Sequence, residues 1–460
     1  MNLAKNLRKY FRRRFWVNGN CILYLCLERK LIKMEVFLMK RFKLIPIFTI
    51  MCILLISCSL WASASALEIW VIATKGEPEW DYFQERLVEF KKSYPEIEVD
   101  LRGMGQKLAE VLRPRIVQGS PPDLFFYNEG IGMTMAREGV LTPLDKWLDA
   151  DEQWKNSFIS TSLDRVKYND KYYSIPDSFM GTQWYYNKKV FEKVGIDSIP
   201  KTWSEFLETC KVLKEAGIEP IAVDGTVAWY NVWYFGNLAS QLVGHQKLTD
   251  TILNKPGTSW EDPKFLKAAQ MVQELYKKGY IMKGAKGSTW PAARLEFLNG
   301  YCGMMYEGGW LVASAWKIAP SDFQWVSFPW PQVEGGESNL YIPGKVNGWW
   351  IPKDGENKEE AIKWLKFITS KESKEIQSDK FLNTPSIKGI DIPAALESDI
   401  RILESAIQVI PQYFGLLLSS GDYRQKVFEP LNDKMMFCEI TAEEFIRELQ
   451  DQHNQYYKNK

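Results

Sequence analysis

Aromatic side chains beside carboxylates and amides are the residues whose chemistry says most about this sequence. Of its 19 Trp, 17 follow residue 66. Aromatic rings pack against the apolar C–H faces of sugars, and planar polar side chains bind sugar hydroxyls. Trp80 opens a predicted helix, and Tyr127, Asn128 and Glu129 end a predicted strand. This pattern favours carbohydrate binding, with packing in a core as the alternative.

Most of the Trp are predicted to be core residues rather than ligand contacts. Trp70 lies in a predicted strand, and Trp203 and Trp364 fall on the apolar faces of predicted helices. For the candidates near the ends of strands, ligand binding and core packing stay open as alternatives.

Catalysis is the competing class of function. Carboxylates are plentiful, and a glycosidase needs two at a separation that sequence does not give. The only two histidines, His245 and His453, lie in no nucleophile or metal motif, and no GxSxG, Walker or dinucleotide fingerprint occurs. No basic cradle for phosphate is evident. We therefore expect a neutral carbohydrate, no catalysis, no cofactor and no metal; an exported glycosidase and a binding protein for a non-sugar solute are the alternatives.

Charge and cysteine content exclude further classes. Residues 1–66 contain 12 of the 58 basic and 2 of the 57 acidic side chains, which leaves 46 basic and 55 acidic, a net charge of −9, for the other 394 residues. An acidic body argues against a nucleic-acid partner. After residue 66 only Cys210, Cys302 and Cys438 remain. Three scattered thiols form neither a disulfide framework nor a metal cluster, and we expect them to be buried as small apolar residues.

The N-terminal region contains an export signal. A basic stretch begins at Met39, residues 44–61 carry no charge, and Ala64-Ser65-Ala66 has the small-x-small form of a cleavage site. The residues before Cys58 also resemble a lipobox, which predicts lipidation there, and an uncleaved membrane anchor is a third interpretation. Because residues 1–38 fit no standard signal, we expect translation to start at Met39 and leave them out of the fold.

Strands and helices alternate after the signal. Leu67–Ala73, Ile97–Leu101 and Leu124–Tyr127 are predicted strands, and apolar positions at helical spacing lie between them. A β-α-β-α-β order predicts parallel strands, and ligands bind beyond the carboxyl ends of such strands. The loops Thr74–Trp80 and Asn128–Gly132 are therefore expected at one rim.

The stretch Lys171–Lys189 separates this series from a second one of the same kind. It starts with a turn and a short extended piece, and then passes through small and polar residues that include Asp177 and Ser178. We interpret it as a crossing between two lobes, beside the ligand, with an ordinary loop as the alternative. In the second series, Thr202 with Glu205 predicts a helix that begins with a capping box.

Five segments occur in an order and spacing that identify a family. They are Leu67–Ala73 with Phe90, Tyr94 and Pro95; Pro122-Asp123-Leu124-Phe125; Ile175-Pro176 with Tyr186-Asn187-Lys188 and Pro200 to Glu205; Phe297, Gly300, Met304, Gly308 and Trp310; and Gly348 to Pro352 with Asn357 to Ala361 and Phe367-Ile368-Thr369. The sequence resembles the family 1 extracellular solute-binding proteins of ABC importers, the maltose-binding-like sugar receptors. Residues 371–440 and the rim loops depart from the family pattern, which leaves the ligand open.

The resemblance implies an α/β, two-lobed fold of the type II periplasmic binding proteins, with hinge strands between the lobes. After the export segment 1–66, lobe 1 is expected to comprise 67–177 with 346–388, and lobe 2 to comprise 182–340 with 395–460. It also implies a monomer in the periplasm or at the outer face of the membrane, which delivers a sugar or oligosaccharide to permease subunits.

The resemblance also assigns ligand contacts. It implies a stacking aromatic residue at Tyr127 and a hydroxyl-binding acid at Glu129, and a second stacking ring at Trp310. The full set of ligand-binding candidates, from the residues and from the resemblance, is Trp80, Tyr127, Asn128, Glu129, Asp177, Ser178, Trp229, Tyr230, Trp233, Trp310, Asn347, Trp349 and Tyr413.

Overall fold

The first part of the chain alternates strands and helices. The computed structural model describes residues 65–416 and 422–459. Its elements up to residue 172 are β1 (Leu67–Val71), α1 (Pro78–Ser93), β2 (Val99–Gly103), α2 (Leu108–Val117), β3 (Leu124–Asn128), α3 (Glu129–Arg137), α4 (Asp145–Asp149), α5 (Glu152–Ser157), α6 (Ser160–Asp164), β4 (Lys167–Tyr168) and β5 (Lys171–Tyr172). β1 pairs in parallel with β2 and with β3, as the sequence predicts. The carboxyl ends of β1 and β3 therefore lie at the same edge of the sheet.

The middle of the chain contains one strand of unusual length. Its elements are β6 (Ser174–Tyr186), α7 (Lys188–Lys193), α8 (Trp203–Glu215), β7 (Glu219–Ala222), α9 (Ala228–Val243), α10 (His245–Ile252), α11 (Pro263–Lys277), α12 (Ala292–Leu298), β8 (Cys302–Gly308), α13 (Trp310–Ala315) and β9 (Ser327–Phe328). The predicted capping box begins α8: the Thr202 hydroxyl accepts from the Glu205 amide, and the Glu205 carboxylate accepts from the Thr202 amide. Such a pair satisfies two amides that the helix itself leaves free.

The last part of the chain returns to the sheet and then ends in helices. Its elements are β10 (Tyr341–Trp350), α14 (Lys358–Ile368), α15 (Lys371–Phe381), α16 (Glu397–Ser405), β11 (Gln408–Pro411), a π-helical turn (Arg424–Phe428) that runs into α17 (Glu429–Met436), and α18 (Ala442–Lys458). Among the described residues, no helix combines the length and the apolar character needed to cross a membrane.

Two long strands join the parts of the chain into one nine-stranded sheet. The order is β2-β1-β3-β10-β6-β8-β7, with β11 beside β10 and β9 beside β6. The start of β6 pairs with β10, and its end pairs with β8. The end of β10 pairs with β3, and its start pairs with β11. The predicted crossing is therefore a continuous 13-residue strand rather than a loop.

Two hydrophobic cores flank these long strands within the unit that starts at Ala66. One core contains buried side chains between Leu67 and Phe179 and between Val346 and Ile368; we call the surrounding part lobe 1. The other is built mainly from residues between Trp184 and Val333 and from the C-terminal helices, and defines lobe 2. Trp70, Trp203 and Trp364 are buried in these cores, as predicted. The lobe boundaries expected from the sequence stay a prediction.

Candidate functional site

The register of the long strands fixes the two sides of a cleft, which we call the lobe 1 bank and the lobe 2 bank. On the lobe 1 side, Asn347 of β10 lies between Asn128 of β3 and Ser178 of β6. On the lobe 2 side, Gly308 at the end of β8 pairs with Thr182 of β6. Thr182 follows Ser178 by four positions of extended strand, a span of roughly 13 Å. The ends of β3 and β8 therefore lie on either side of this stretch of β6.

Five aromatic rings meet on the lobe 2 bank. Ring centroids of Trp229 and Trp310 lie 6.3 Å apart, and Trp229 lies 5.5 Å from Trp233 and 6.1 Å from Tyr413. Trp233 and Tyr230 are buried beneath the other three, which keep part of their surface. The structure thus brings together all five aromatic residues that the resemblance assigned to lobe 2, although they come from α9, α13 and the segment after β11.

The end of β8 positions Trp310. A Cβ atom on Gly308 would lie 2.1 Å from the Trp310 ring, so the ring rests directly on backbone that has no side chain. Lys345 of β10 covers the ring from the other direction, with its Nζ 4.1 Å from the ring centroid. Burial lowers the pKa of Lys345 to about 8, against the opposing influence of Glu79 and Glu307.

A buried ion pair lies under the aromatic rings. The Glu307 carboxylate accepts from the Gly308 amide at 3.2 Å, and its other oxygen is 3.6 Å from an Arg294 nitrogen. Both side chains are almost completely buried. Burial raises the pKa of Glu307 to about 7, although Arg294 and a hydrogen bond from Tyr230 act in the opposite direction. The carboxylate therefore titrates near neutral pH.

The lobe 1 bank carries the predicted residues at the end of β3. Asn128 caps α3, because its side chain accepts from the Ile131 amide. Tyr127 is buried at the strand end, and burial raises the pKa of its hydroxyl, with Arg424 opposing the shift. The Glu129 carboxylate forms an ion pair with Arg165 and accepts from the Val346 amide at 2.8 Å.

The first turn of α1 contributes to the same bank. The ring of Trp80 covers Gly103, where an added Cβ would lie 2.9 Å from the ring. Beside it, burial and the nearby Asp177 raise the pKa of Glu79 to about 8. At neutral pH a carboxyl of this kind is mostly protonated and can donate a hydrogen bond.

A family profile described as bacterial extracellular solute-binding protein matches residues 74–375. The chain belongs to this family. It is a solute-binding protein of an ABC transporter, and members of the family are receptors rather than enzymes.

Relatives of this solute-binding protein bind different solutes. The multiple sugar-binding protein of Streptococcus mutans is 22% identical over 359 residues, which cover 76% of this chain and 83% of the relative. The sn-glycerol-3-phosphate-binding periplasmic protein of Rhizobium meliloti is 27% identical over 308 residues, which cover 62% of this chain and 64% of the relative.

The solved structures confirm the predicted fold. A chitin oligosaccharide binding protein superposes with a TM-score of 0.73 at 20% identity, over 85% of this chain and 99% of that chain. The α/β architecture with two lobes and hinge strands is therefore that of the type II periplasmic binding proteins.

Three candidate residues of this solute-binding protein lie away from the open surface. Trp349 has an exposed fraction of 0% and packs in the core of lobe 1. Its Nε1 donates to Asp177, which also pairs with Lys374 at 2.6 Å and accepts from Gln377. Ser178 is equally buried. We therefore leave Asp177, Ser178 and Trp349 out of the proposed contacts, because all three are fully buried and Asp177 is held by Trp349, Lys374 and Gln377.

Several charged residues near the cleft were not singled out from the sequence. Glu307 carried a signal, since it is a carboxylate in an apolar strand directly before Gly308-Gly309. Lys345, Arg165 and Arg294 carried none, because ordinary surface positions have the same residue types. Within the described part of the chain, no cluster of three His, Cys, Asp or Glu side chains is arranged to hold a metal ion. Cys58 lies outside the described residues.

Proposed function

We propose that this protein captures a carbohydrate between its lobes and delivers it to the permease of its ABC transporter. The observation that carries the proposal is the group of rings on the lobe 2 bank, in which Trp229, Trp310 and Tyr413 lie together and each keeps part of its surface exposed. Sugar rings present flat C–H faces that fit such surfaces. The sugar-binding relative from Streptococcus mutans supports the same class of ligand.

The proposed contacts divide between the two banks. Lobe 2 supplies the stacking rings, and Trp233 and Tyr230 hold those rings from beneath. Lobe 1 supplies polar groups at its strand ends that bind hydroxyls of the sugar. Glu129 is not among these contacts, because its carboxylate positions Arg165 and the Val346 amide. The contacts that we propose are Trp80, Tyr127, Asn128, Asn347, Trp229, Trp310 and Tyr413.

The residue ranges of the lobes and the cellular form belong to the same proposal. Lobe 1 comprises 67–177 with 346–388, and lobe 2 comprises 182–340 with 395–460. The exported protein is a monomer that lacks residues 1–66, or lacks 1–57 when Cys58 is lipidated.

A thermal-shift screen against mono- and oligosaccharides tests the proposed function. Ligand at about 100 times its Kd raises the free energy of unfolding by about 2.7 kcal/mol, so a true ligand gives a clear shift in Tm. Calorimetric titration then gives the stoichiometry, and chromatography of the recovered sugar shows whether it is intact. We expect one intact sugar per protein. Cleaved sugar in excess over protein, or no shift with any carbohydrate, would contradict the proposal.

A further inference from the structure

A cavity of about 220 Å³ lies between α3, β10 and the segment after β11. Its charged lining consists of four basic side chains and one carboxylate: Arg137, Arg165, Lys167, Lys345 and Glu129. The cavity opens on the same cleft as the aromatic rings, because Tyr413 and Lys345 belong to both. It is smaller than the roughly 300–1,000 Å³ of whole ligand pockets, so it accommodates one group of a ligand.

Two of the four cations are already neutralised. Arg165 pairs with Glu129 and also donates to the carbonyl oxygens of Val409 at 2.8 Å and Gly344 at 3.2 Å. Lys167 lies 3.3 Å from the carboxylate of Asp170. Arg165 therefore serves as a fixed wall of the cavity and ties α6 and β4 to the crossing strands.

Lys345 differs from these cations because no carboxylate of the described residues pairs with it directly, and Glu79 and Glu307 act on its charge only from beyond 4 Å. Within residues 65–416 and 422–459, no ion pair of Lys345 or of Arg137 is formed within 4 Å. Lys345 is half-buried, and its nearest charge-stabilising contact is the face of Trp310. A ring face compensates only part of the cost of removing an ammonium group from water. Buried charges in proteins are ordinarily paired, so a partner from outside the chain is the simplest account.

We propose that this cavity holds an anionic group of the carbohydrate ligand, a carboxylate or a phosphate ester, at Lys345, while the sugar ring contacts the exposed part of Trp310. The proposal rests on the proposed function and narrows its ligand to acidic carbohydrates. It replaces the expectation of a neutral sugar, which depended on the absence of a basic cradle. The cradle was invisible in the sequence because its members are spread over more than 200 residues.

Calorimetric titration with matched neutral and anionic sugars tests the proposal on the protein purified after export. One set is glucose, glucuronic acid and glucose 6-phosphate, and the other is galactotriose and trigalacturonic acid. We expect an anionic sugar to bind about tenfold to a hundredfold more tightly than its neutral counterpart, since a hydrogen bond to a charged group adds this much. The preference should weaken between 50 and 500 mM salt, because salt screens the attraction.

Three variants identify the side chain responsible. Lys345→Met keeps the stem that covers Trp310 and removes the charge, so the anionic preference should fall at least tenfold. Lys345→Arg should retain the preference. The matched control is Lys146→Met, because the Lys146 ammonium also lies over a Trp ring, at 4.6 Å, but far from the cavity lining. It should leave binding unchanged.

The outcomes separate this proposal from the proposed function. Preference for the uronic acids assigns the cavity to a carboxylate, and preference for glucose 6-phosphate assigns it to an ester. Equal binding of neutral and anionic sugars, or a preference that survives Lys345→Met, would overturn the anionic subsite and leave carbohydrate binding intact. Failure of every carbohydrate to bind would overturn both.

Discussion

Trp310 is the residue through which most of the proposed site is connected. Its ring rests on Gly308, faces the rings of Trp229 and Trp233, and is covered by Lys345. Part of the ring stays exposed. A side chain in this environment contributes both to the stability of the fold and to ligand affinity. Measuring stability and affinity on the same variant separates the two contributions.

Trp310→Ala should reduce ligand affinity tenfold to a hundredfold. Contact with a sugar buries the part of the ring that is still exposed, and at roughly 25 cal/mol per Å² the loss is about 1–3 kcal/mol. Calorimetric titration and a melting curve on the same variant provide the measurement. The control is Trp316→Ala, since Trp316 is 41% exposed and directly follows α13. Unchanged affinity with a sharply lower Tm would show that the ring is only structural.

Glu307 should make stability depend on pH. Its pKa is raised from 4.5 to about 7 in the folded protein, so the folded state binds the proton more tightly than the unfolded state. The resulting stabilisation is complete below pH 4.5 and is lost as pH rises through 7. The loss is on the order of 3 kcal/mol, and it should disappear in Glu307→Gln.

Denaturant unfolding of both proteins between pH 4 and 8 measures this effect as a difference. The subtraction removes the contributions of other buried carboxyls, such as Asp399, which are present in both proteins. A difference in unfolding free energy that stays constant across this range would show that folding does not shift the pKa of Glu307.

Sequence reasoning worked for single residues where residue type alone carries the chemistry. Trp229, Trp310 and Tyr413 were singled out as aromatic, and the structure brings them together. Lys345 could not be found, because its importance comes from what surrounds it rather than from its type. Glu129 was expected to bind a hydroxyl directly, and its engagement by Arg165 and Val346 depends on contacts over 36 and 217 positions.

At the scale of elements, α15 supports the crossing strand β6 from within lobe 1. Lys374 of α15 lies 2.6 Å from Asp177 of β6, and both side chains are fully buried. Gln377, one turn later, donates to the other carboxylate oxygen at 2.8 Å. These contacts tie the lobe 1 half of β6 to α15.

Lys374→Met should destabilise the protein by about 3–5 kcal/mol, because it leaves Asp177 as a buried charge without its counterion. Urea unfolding measures the change. Adding Asp177→Asn to the same variant should recover much of the loss. The matched control is Lys371→Met in the first turn of α15, where a 67% exposed side chain pairs with Glu375; it should change the unfolding free energy by less than about 0.5 kcal/mol. Equal effects at both positions would contradict this account.

Periodicity predicted the elements in the first half of the chain better than those around the hinge. The strands β1 to β3 and the helix α8 with its capping box lie where the pattern indicates. The crossing was predicted as a change of character after Pro176, whereas β6 continues to Tyr186. The polar residues of β6 form an extended strand because β10 and β8 pair with it. Pairing between segments that are distant in the sequence leaves no signal in the local sequence pattern.

At the scale of the whole molecule, export should remove the N-terminal segment. Mass spectrometry of the protein from membrane and soluble fractions should give a chain that starts at Leu67, or a lipid-modified chain that starts at Cys58. The reason is the charge-free stretch after a basic one, which ends in Ala64-Ser65-Ala66. A chain in which Met1 is retained would contradict the prediction.

The insertion of β10 between β3 and β6 governs when the molecule can finish folding. Trp349 pairs with Ile175 and Asn347 pairs with Asn128, so the sheet of lobe 1 lacks an inner strand until the chain has been synthesised through Trp350. Contacts at such separations close slowly. A nascent chain that reaches the export machinery during synthesis therefore still has an incomplete lobe 1 sheet, and it can be translocated across the membrane before lobe 1 is stably folded.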